Sequence, residues 1–202
     1  RLGLEDGAPL LLCVAMMRSG DKLASYRVLG AALARLGGRP WHLLVAGDGE
    51  ARAEVEAALA PLGRRVRWLG EMAAADLPAL YAACDLHVWP AINEAWGMTL
   101  LEAQAAGLPV VAGRTGGVPN VVLEGEAGLL TAAGDAAAFA AAVATLLDDQ
   151  SRRQAMGRFA AERMRVRHDT AAVRRTVDAA LRETVDRYRA RHGSPRLEAA
   201  AP

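Results

Sequence analysis

The strongest constraint in this sequence is rhythm: short apolar runs keep returning, each followed by a loop and a stretch with helical spacing. Leu10-Leu11-Leu12-Cys13-Val14-Ala15 is the first run, apolar at every position, which suits a strand buried on both faces. His42 to Ala46, Val66 to Leu69, Leu86 to Trp89, Pro109 to Ala112 and Ala127 to Leu130 repeat the pattern. Helices are predicted between them. Tyr26 to Leu36 carries Val28, Leu29, Ala32, Leu33 and Leu36 on one stripe. Ala51 to Leu62, Asp76 to Ala83 (with Asp76 at the N-cap) and Gly97 to Ala106, closed by Gly107, complete the set. Met16 to Ser25 and Thr115 to Pro119 read as loops. Strand–helix alternation implies βαβ units, so the expected fold is α/β: a Rossmann-like three-layer domain with about six parallel strands. Ligands bind such sheets beyond the carboxyl ends of the strands. The loops at 16–22, 47–50, 70–72, 90–97 and 113–118 are then expected to share one rim.

Past residue 134 the pattern turns helical, with helices expected over Asp135 to Leu147, Ser151 to Arg165 and Thr170 to Arg191. This gives one domain over 1–193, with a helical extension from about residue 135 and a disordered tail over 194–202. Hydrophobic residues make up 52% and aromatics only 4%, so Ala, Leu and Val must fill the core. No apolar run of about 18 residues occurs, so no membrane-spanning helix is expected. Arg1 to Glu5 lacks both a Met and the charged-then-apolar order of a leader, which suggests a piece of a longer protein. Cys13 and Cys84 each sit in apolar runs and read as two buried thiols, fitting a reducing, cytoplasmic compartment.

The net charge of +1 hides an asymmetry. Residues 1–150 carry 11 basic and 17 acidic side chains, a net of −6; residues 151–196 carry 13 arginines and 5 acids, a net of +8. The Arg-rich helices read first as a solvated face and a contact for further chain. The alternative is peripheral docking on the anionic inner face of a membrane or on a partner, in a non-catalytic binding module. Without aromatic interleaving, no nucleic-acid role is expected.

Among 23 arginines there is a single lysine, Lys22, and it falls with Arg18 in the loop after the first strand. Two cations on the ligand rim suit a diphosphate, Arg as a fork and Lys as a point charge. Glu94 lies in the loop after Trp89 and Glu102 in the following helix; rim carboxylates suit hydrogen bonds from sugar hydroxyls. Taken alone, Glu94 also suits a helix N-terminus and Glu102 an exposed helix position. The start of that helix, Gly97-Met98-Thr99, would offer free backbone N–H groups to an anion. Gly116-Gly117 and Gly47-Asp48-Gly49 could bring backbone close to a ligand or form simple turns. His42, His87, His168 and His192 have no metal spacing and there is no D-x-D, so neither a metal nor another cofactor is expected.

Pro90 to Ala103, with Glu94 and Glu102 eight residues apart, resembles the Glu-x7-Glu motif of retaining GT-B glycosyltransferases, specifically the C-terminal, donor-binding domain of glycosyltransferase family four. Leu44 to Gly49, Trp68-Leu69-Gly70, Leu80 to Asp85 and Ala106 to Val111 match that family in order and spacing, over about residues 8–165. The resemblance implies one half of a GT-B fold and transfer of a sugar from a nucleoside-diphosphate sugar (UDP or GDP) with retention at the anomeric carbon. It implies that Arg18 and Lys22 hold the donor diphosphate and that Glu94 meets the transferred sugar, these three forming the catalytic set. It further implies that Glu102 binds the ribose, that Gly97, Met98 and Thr99 donate amides, and that the backbone of Met72 meets the nucleobase. Two positions depart from the family pattern: Leu23 follows Lys22 where Gly is usual, and Asn120 follows Gly-Gly-x-Pro where Glu is usual. The family also needs an N-terminal acceptor domain, which this stretch of chain does not include, so the isolated domain is expected to be inactive.

Overall fold

The computed structural model of the chain describes residues 7–167 and 170–193. The expectations for Arg1 to Glu5, His168 and the tail 194–202 lie outside the described residues. The chain divides into two compact units, Arg1–Glu162 and Arg163–Pro202.

The first unit is built on one six-stranded sheet: β1 (Leu10–Val14), β2 (His42–Ala46), β3 (Val66–Gly70), β4 (Leu86–Trp89), β5 (Val110–Gly113) and β6 (Gly128–Thr131). Every pairing is parallel and the order is β3-β2-β1-β4-β5-β6. The continuous apolar runs are accounted for by burial on both faces: all five β2 positions and all four of β4 and β5 are buried. The helices are α1 (Asp21–Leu33), α2 (Arg52–Leu59), α3 (Leu77–Ala82), α4 (Met98–Ala105), α5 (Val118–Val121) and α6 (Ala136–Asp148). α1 packs on α2 and α6, and α3 packs on α4. Right-handed crossovers demand this grouping, because the strand order runs one way from β1 to β3 and the other way from β4 to β6. The expected Rossmann-like α/β architecture is therefore present. The order reverses between β1 and β4, so the loops leaving those two strands open the crevice where such sheets bind ligands.

Three local expectations are corrected. α1 starts at Asp21, not Tyr26, so Lys22 stands on its first turn rather than in a loop. Gly20, at φ 73°, turns the chain into the helix, and the acid of Asp21 suits the positive end of the helix. The Ser25 hydroxyl donates to the Asp21 carbonyl at 2.8 Å, tying down the same turn. α2 stops at Leu59 and continues as a 3₁₀ turn over Ala60–Arg65, because Pro61 cannot donate and Gly63 takes φ 56°. Finally, Val118–Val121 closes into a short helix with Pro119 in its first turn, where a loop was expected. The start of α6 follows sequence expectation: the Asp135 carboxylate accepts the N–H groups of Ala137 at 3.0 Å and Ala138 at 2.9 Å. Asp76 occupies the N-cap position of α3 without a side-chain bond.

Cys13 is buried, but Cys84 is only partly so, which corrects the reading of two buried thiols. Burial pushes each thiol up to about 12, so neither is a ready nucleophile. His42 and His87 sit on β2 and β4 and are buried.

The helices α7 (Gln150–Arg167) and α8 (Thr170–His192) carry the arginine-rich end of the chain. On α8, Val173, Val177, Leu181, Val185 and Tyr188 form an exposed apolar row. Among the described residues no helix is long and apolar enough to cross a membrane.

Candidate functional site

A cavity of about 590 Å³ opens at the carboxyl ends of the central strands. It is bounded by residues from four strand-to-helix connections: Val14 to Met16, Ala46 to Gly49, Glu71-Met72 and Glu94 to Thr99. Four of the five expected rim loops therefore meet there. The fifth, 113–118, does not line the cavity; it lies against the 90–97 loop instead.

Lys22 and Glu94, 72 residues apart in sequence, meet at the cavity wall: Lys22 Nζ donates to Glu94 Oε2 at 2.6 Å. The pair is largely enclosed, with side chains 21% and 17% exposed. The indole N–H of Trp89 donates to the same carboxylate oxygen at 3.3 Å, and Lys22 Nζ stands 5.2 Å from the centre of the Trp89 ring. Burial pushes the Glu94 carboxyl up. The Lys22 ammonium, the Trp89 N–H and the Gly97 N–H pull it down, and the balance falls below the usual carboxylate range. Glu94 is thus held ionised and already partnered.

Gly97 precedes α4 at φ 87°, a left-handed conformation that glycine adopts without strain. That turn places Met98 and Thr99, the first residues of α4, on the cavity wall, where the helix N-terminus favours negative charge. Met72 lines the same cavity. Met16, Trp96 and Met98 expose large apolar surfaces at the mouth.

The structure does not bring all the sequence candidates together. Arg18 does not line the cavity; it is exposed in the loop before α1, near Glu50, whose carboxyl is lowered first by the Ser19 N–H it accepts at 3.1 Å and only to a lesser degree by the Arg18 charge. Glu102 sits one helical turn past Thr99 and faces a second cavity of about 340 Å³, which shares Leu77 with the first. There its carboxylate accepts the Tyr81 hydroxyl at 2.9 Å. Gly47 and Gly49 line the cavity and also lie close against neighbouring backbone: a Cβ would lie 2.0 Å from the Ala15 carbonyl oxygen at Gly47 and 2.4 Å from that of Met17 at Gly49. Among the described residues no group of three His, Cys, Asp or Glu side chains could hold a metal ion.

The 90–97 loop is strained and clamped. Ala91 at φ 55° and Asn93 at φ 51° adopt the left-handed region, costing about 1–2 kcal/mol each. From α1, the Ser25 hydroxyl accepts the Ile92 N–H at 2.9 Å, and the Asp21 carboxylate accepts the Asn93 side-chain amide at 2.8 Å. Sequence reasoning passed over Trp89, Tyr81 and these clamps. A large aromatic closing a buried strand was the available signal for Trp89; nothing local marks the others.

A sequence profile of the family described as Glycosyl transferases group 1 matches residues 8–149. The chain belongs to the glycosyl transferases group 1 family. Curated relatives agree: a D-inositol 3-phosphate glycosyltransferase of Corynebacterium efficiens is 46% identical over 102 residues, covering 50% of this chain and 24% of that protein. Sucrose-phosphate synthase from Thermosynechococcus elongatus superposes with a TM-score of 0.80 at 27% identity, over 92% of this chain and 47% of that one. HepE from Anabaena, in complex with UDP-glucose, superposes with a TM-score of 0.75 at 26% identity, over 88% and 49%. The chain thus spans about a quarter of the first relative and half of the two solved proteins. Lys22, Glu94 and the α4 N-terminus all lie within the residues matched to this family.

Proposed function

We propose that this chain is the C-terminal, donor-binding half of a GT-B glycosyltransferase of family four, transferring a sugar from a nucleoside-diphosphate sugar with retention. The observation that carries the reading is the Lys22–Glu94 pair beside the α4 N-terminus, in one crevice at the sheet's reversal point. Lys22 and the N–H groups of Gly97, Met98 and Thr99 hold the diphosphate and stabilise it as it leaves. Glu94 accepts hydroxyls of the transferred sugar. The backbone of Met72 meets the nucleobase, and Glu102 binds the ribose through the second cavity. Arg18 joins the diphosphate by swinging in from its place beside Glu50. The departing diphosphate takes the acceptor's proton, so no nucleophilic side chain is needed from this half. In this reading the charge is met without a metal or other cofactor, and a second α/β half of the same polypeptide binds the acceptor. The UDP-glucose complex of HepE makes UDP sugars the first donors to test.

Calorimetry on the chain with UDP, GDP and ADP is the direct experiment. We expect weak binding of one of them and no transfer by the chain alone. A folded chain that binds none would overturn the reading. Tyr81→Phe addresses the ribose assignment. Losing the hydrogen bond to Glu102 is expected to weaken UDP binding about 3–10-fold, while 2′,3′-dideoxy-UDP binding stays the same. Equal losses for both nucleotides would remove Glu102 from the ribose.

A further inference from the structure

The 113–117 segment is shaped to lie flat under the loop that carries Glu94. A Cβ at Gly113 would come within 1.9 Å of the Pro90 carbonyl oxygen, and one at Gly116 within 2.2 Å of the Glu94 carbonyl oxygen. At Gly117 it would meet the Ala95 carbonyl oxygen at 2.5 Å and the Trp96 ring at 2.9 Å. The Gly117 N–H donates to that Ala95 carbonyl at 2.9 Å. Between these glycines stand Arg114, which pairs with Glu124, and Thr115, which turns to the 90–97 loop. The Thr115 hydroxyl donates to the Ala91 carbonyl at 2.6 Å and accepts the Glu94 N–H at 3.2 Å. The Glu94 N–H also reaches the Ala91 carbonyl directly at 3.2 Å, so the Thr115 hydroxyl bonds both ends of a contact that closes the strained turn, in addition to the clamp from α1.

We propose that Thr115 is a positioning residue for Glu94: by bridging Ala91 and Glu94 it fixes where the Glu94 carboxylate stands in the donor cavity. Thr115 does not line that cavity, so it acts through the loop and not on the ligand. The two hydrogen bonds need a hydroxyl, which both gives and takes a proton. Valine matches the shape and offers neither. Without the bridge the strained backbone relaxes and the carboxylate leaves its place beside Lys22 and Trp89.

The consequence for affinity rests on the assignment of Glu94 to the transferred sugar, and the test separates the two claims. Thr115→Val is expected to weaken UDP-glucose binding about tenfold and UDP binding less than about twofold, with the melting temperature nearly unchanged. Thr115→Ser, which keeps the hydroxyl, restores UDP-glucose affinity. In the ligand-free chain, the Trp89 indole N–H reports on the Glu94 carboxylate it touches. Its NMR resonance is expected to shift in Thr115→Val and to return in Thr115→Ser. An indole resonance unmoved by Thr115→Val overturns the positioning role whatever the chain binds. Equal weakening of UDP and UDP-glucose, or no rescue by serine, overturns it as well. A shifted indole resonance in a chain with no affinity for UDP-glucose upholds the positioning role and removes the donor-site reading.

Discussion

Acidification below pH 6.5 is expected to destabilise this chain by about 1.4 kcal/mol per pH unit through His87 alone. The cause is burial without partners. His87 is fully buried on β4, and neither ring nitrogen has a hydrogen-bond partner. Its nearest aromatic neighbour, Tyr81, meets it edge-on with ring centroids 5.9 Å apart. Desolvation disfavours the imidazolium and pushes the group from 6.5 down to about 3. Between those values the unfolded chain takes up a proton that the folded chain refuses. Stability therefore rises with pH through this window, is undiminished by His87 above 6.5, and is reduced in full below about 3. The whole loss is on the order of 3–5 kcal/mol, a large share of a typical domain's stability. Urea unfolding of the wild type and His87→Leu at pH 7 and pH 4.5 checks it. Glu94 also loses its ion pair as pH falls through its lowered value, but it does so in both proteins and cancels from the difference. The variant is expected to gain about 2–3 kcal/mol on the wild type over that interval. Parallel curves would mean that His87 finds a proton or a partner in the folded state.

His87 also illustrates what the sequence could and could not reveal. The apolar run Leu86 to Trp89 announces a buried strand, so a buried histidine there is expected; that both its nitrogens lack partners depends on neighbours brought in by other elements. The same division holds across the fold. The doubly buried strands were legible because burial on both faces removes polar residues from a short run, and their alternation with helices implies the parallel sheet. Strand order was not legible, because nothing in β1 or β4 says that they are neighbours. It is that order which brings Lys22 to Glu94. The start of α1 was misread because the first turn offers the core only Leu23 and the polar Ser25, too short an apolar signal to read; the helix there is set by Gly20 and by the Ser25 hydroxyl. Gly116-Gly117 was visible as a loop able to approach something. What it approaches is the Glu94–Trp96 backbone, a fact of tertiary placement. Glu102 was grouped with Glu94 by spacing, yet one further helical turn carries it to the Tyr81 cavity.

Replacing either member of the Lys22–Glu94 pair is expected to change nucleotide binding in opposite directions. In the free chain the ammonium is already engaged by the carboxylate at 2.6 Å, in a place largely closed to water. A diphosphate must compete for it. Lys22→Ala removes the cation and leaves the Glu94 charge facing the incoming phosphates, so attraction is lost and repulsion is exposed. Losing one charge-assisted hydrogen bond is worth about 1.5–3 kcal/mol, so UDP affinity should fall by about 10–150-fold. Glu94→Gln frees the ammonium, so UDP affinity should hold or improve by a few-fold, while the preference for UDP-glucose over UDP disappears with the acceptor for the sugar hydroxyls. The double variant should bind UDP better than Lys22→Ala alone, because the unpaired carboxylate has gone; the two effects are coupled and must not add. Calorimetry of the four proteins with UDP and UDP-glucose decides the matter. Equal losses of UDP affinity in both single variants would make the pair a structural tie with no part in holding the donor, and strict additivity in the double variant would mean that the diphosphate never competes for Lys22.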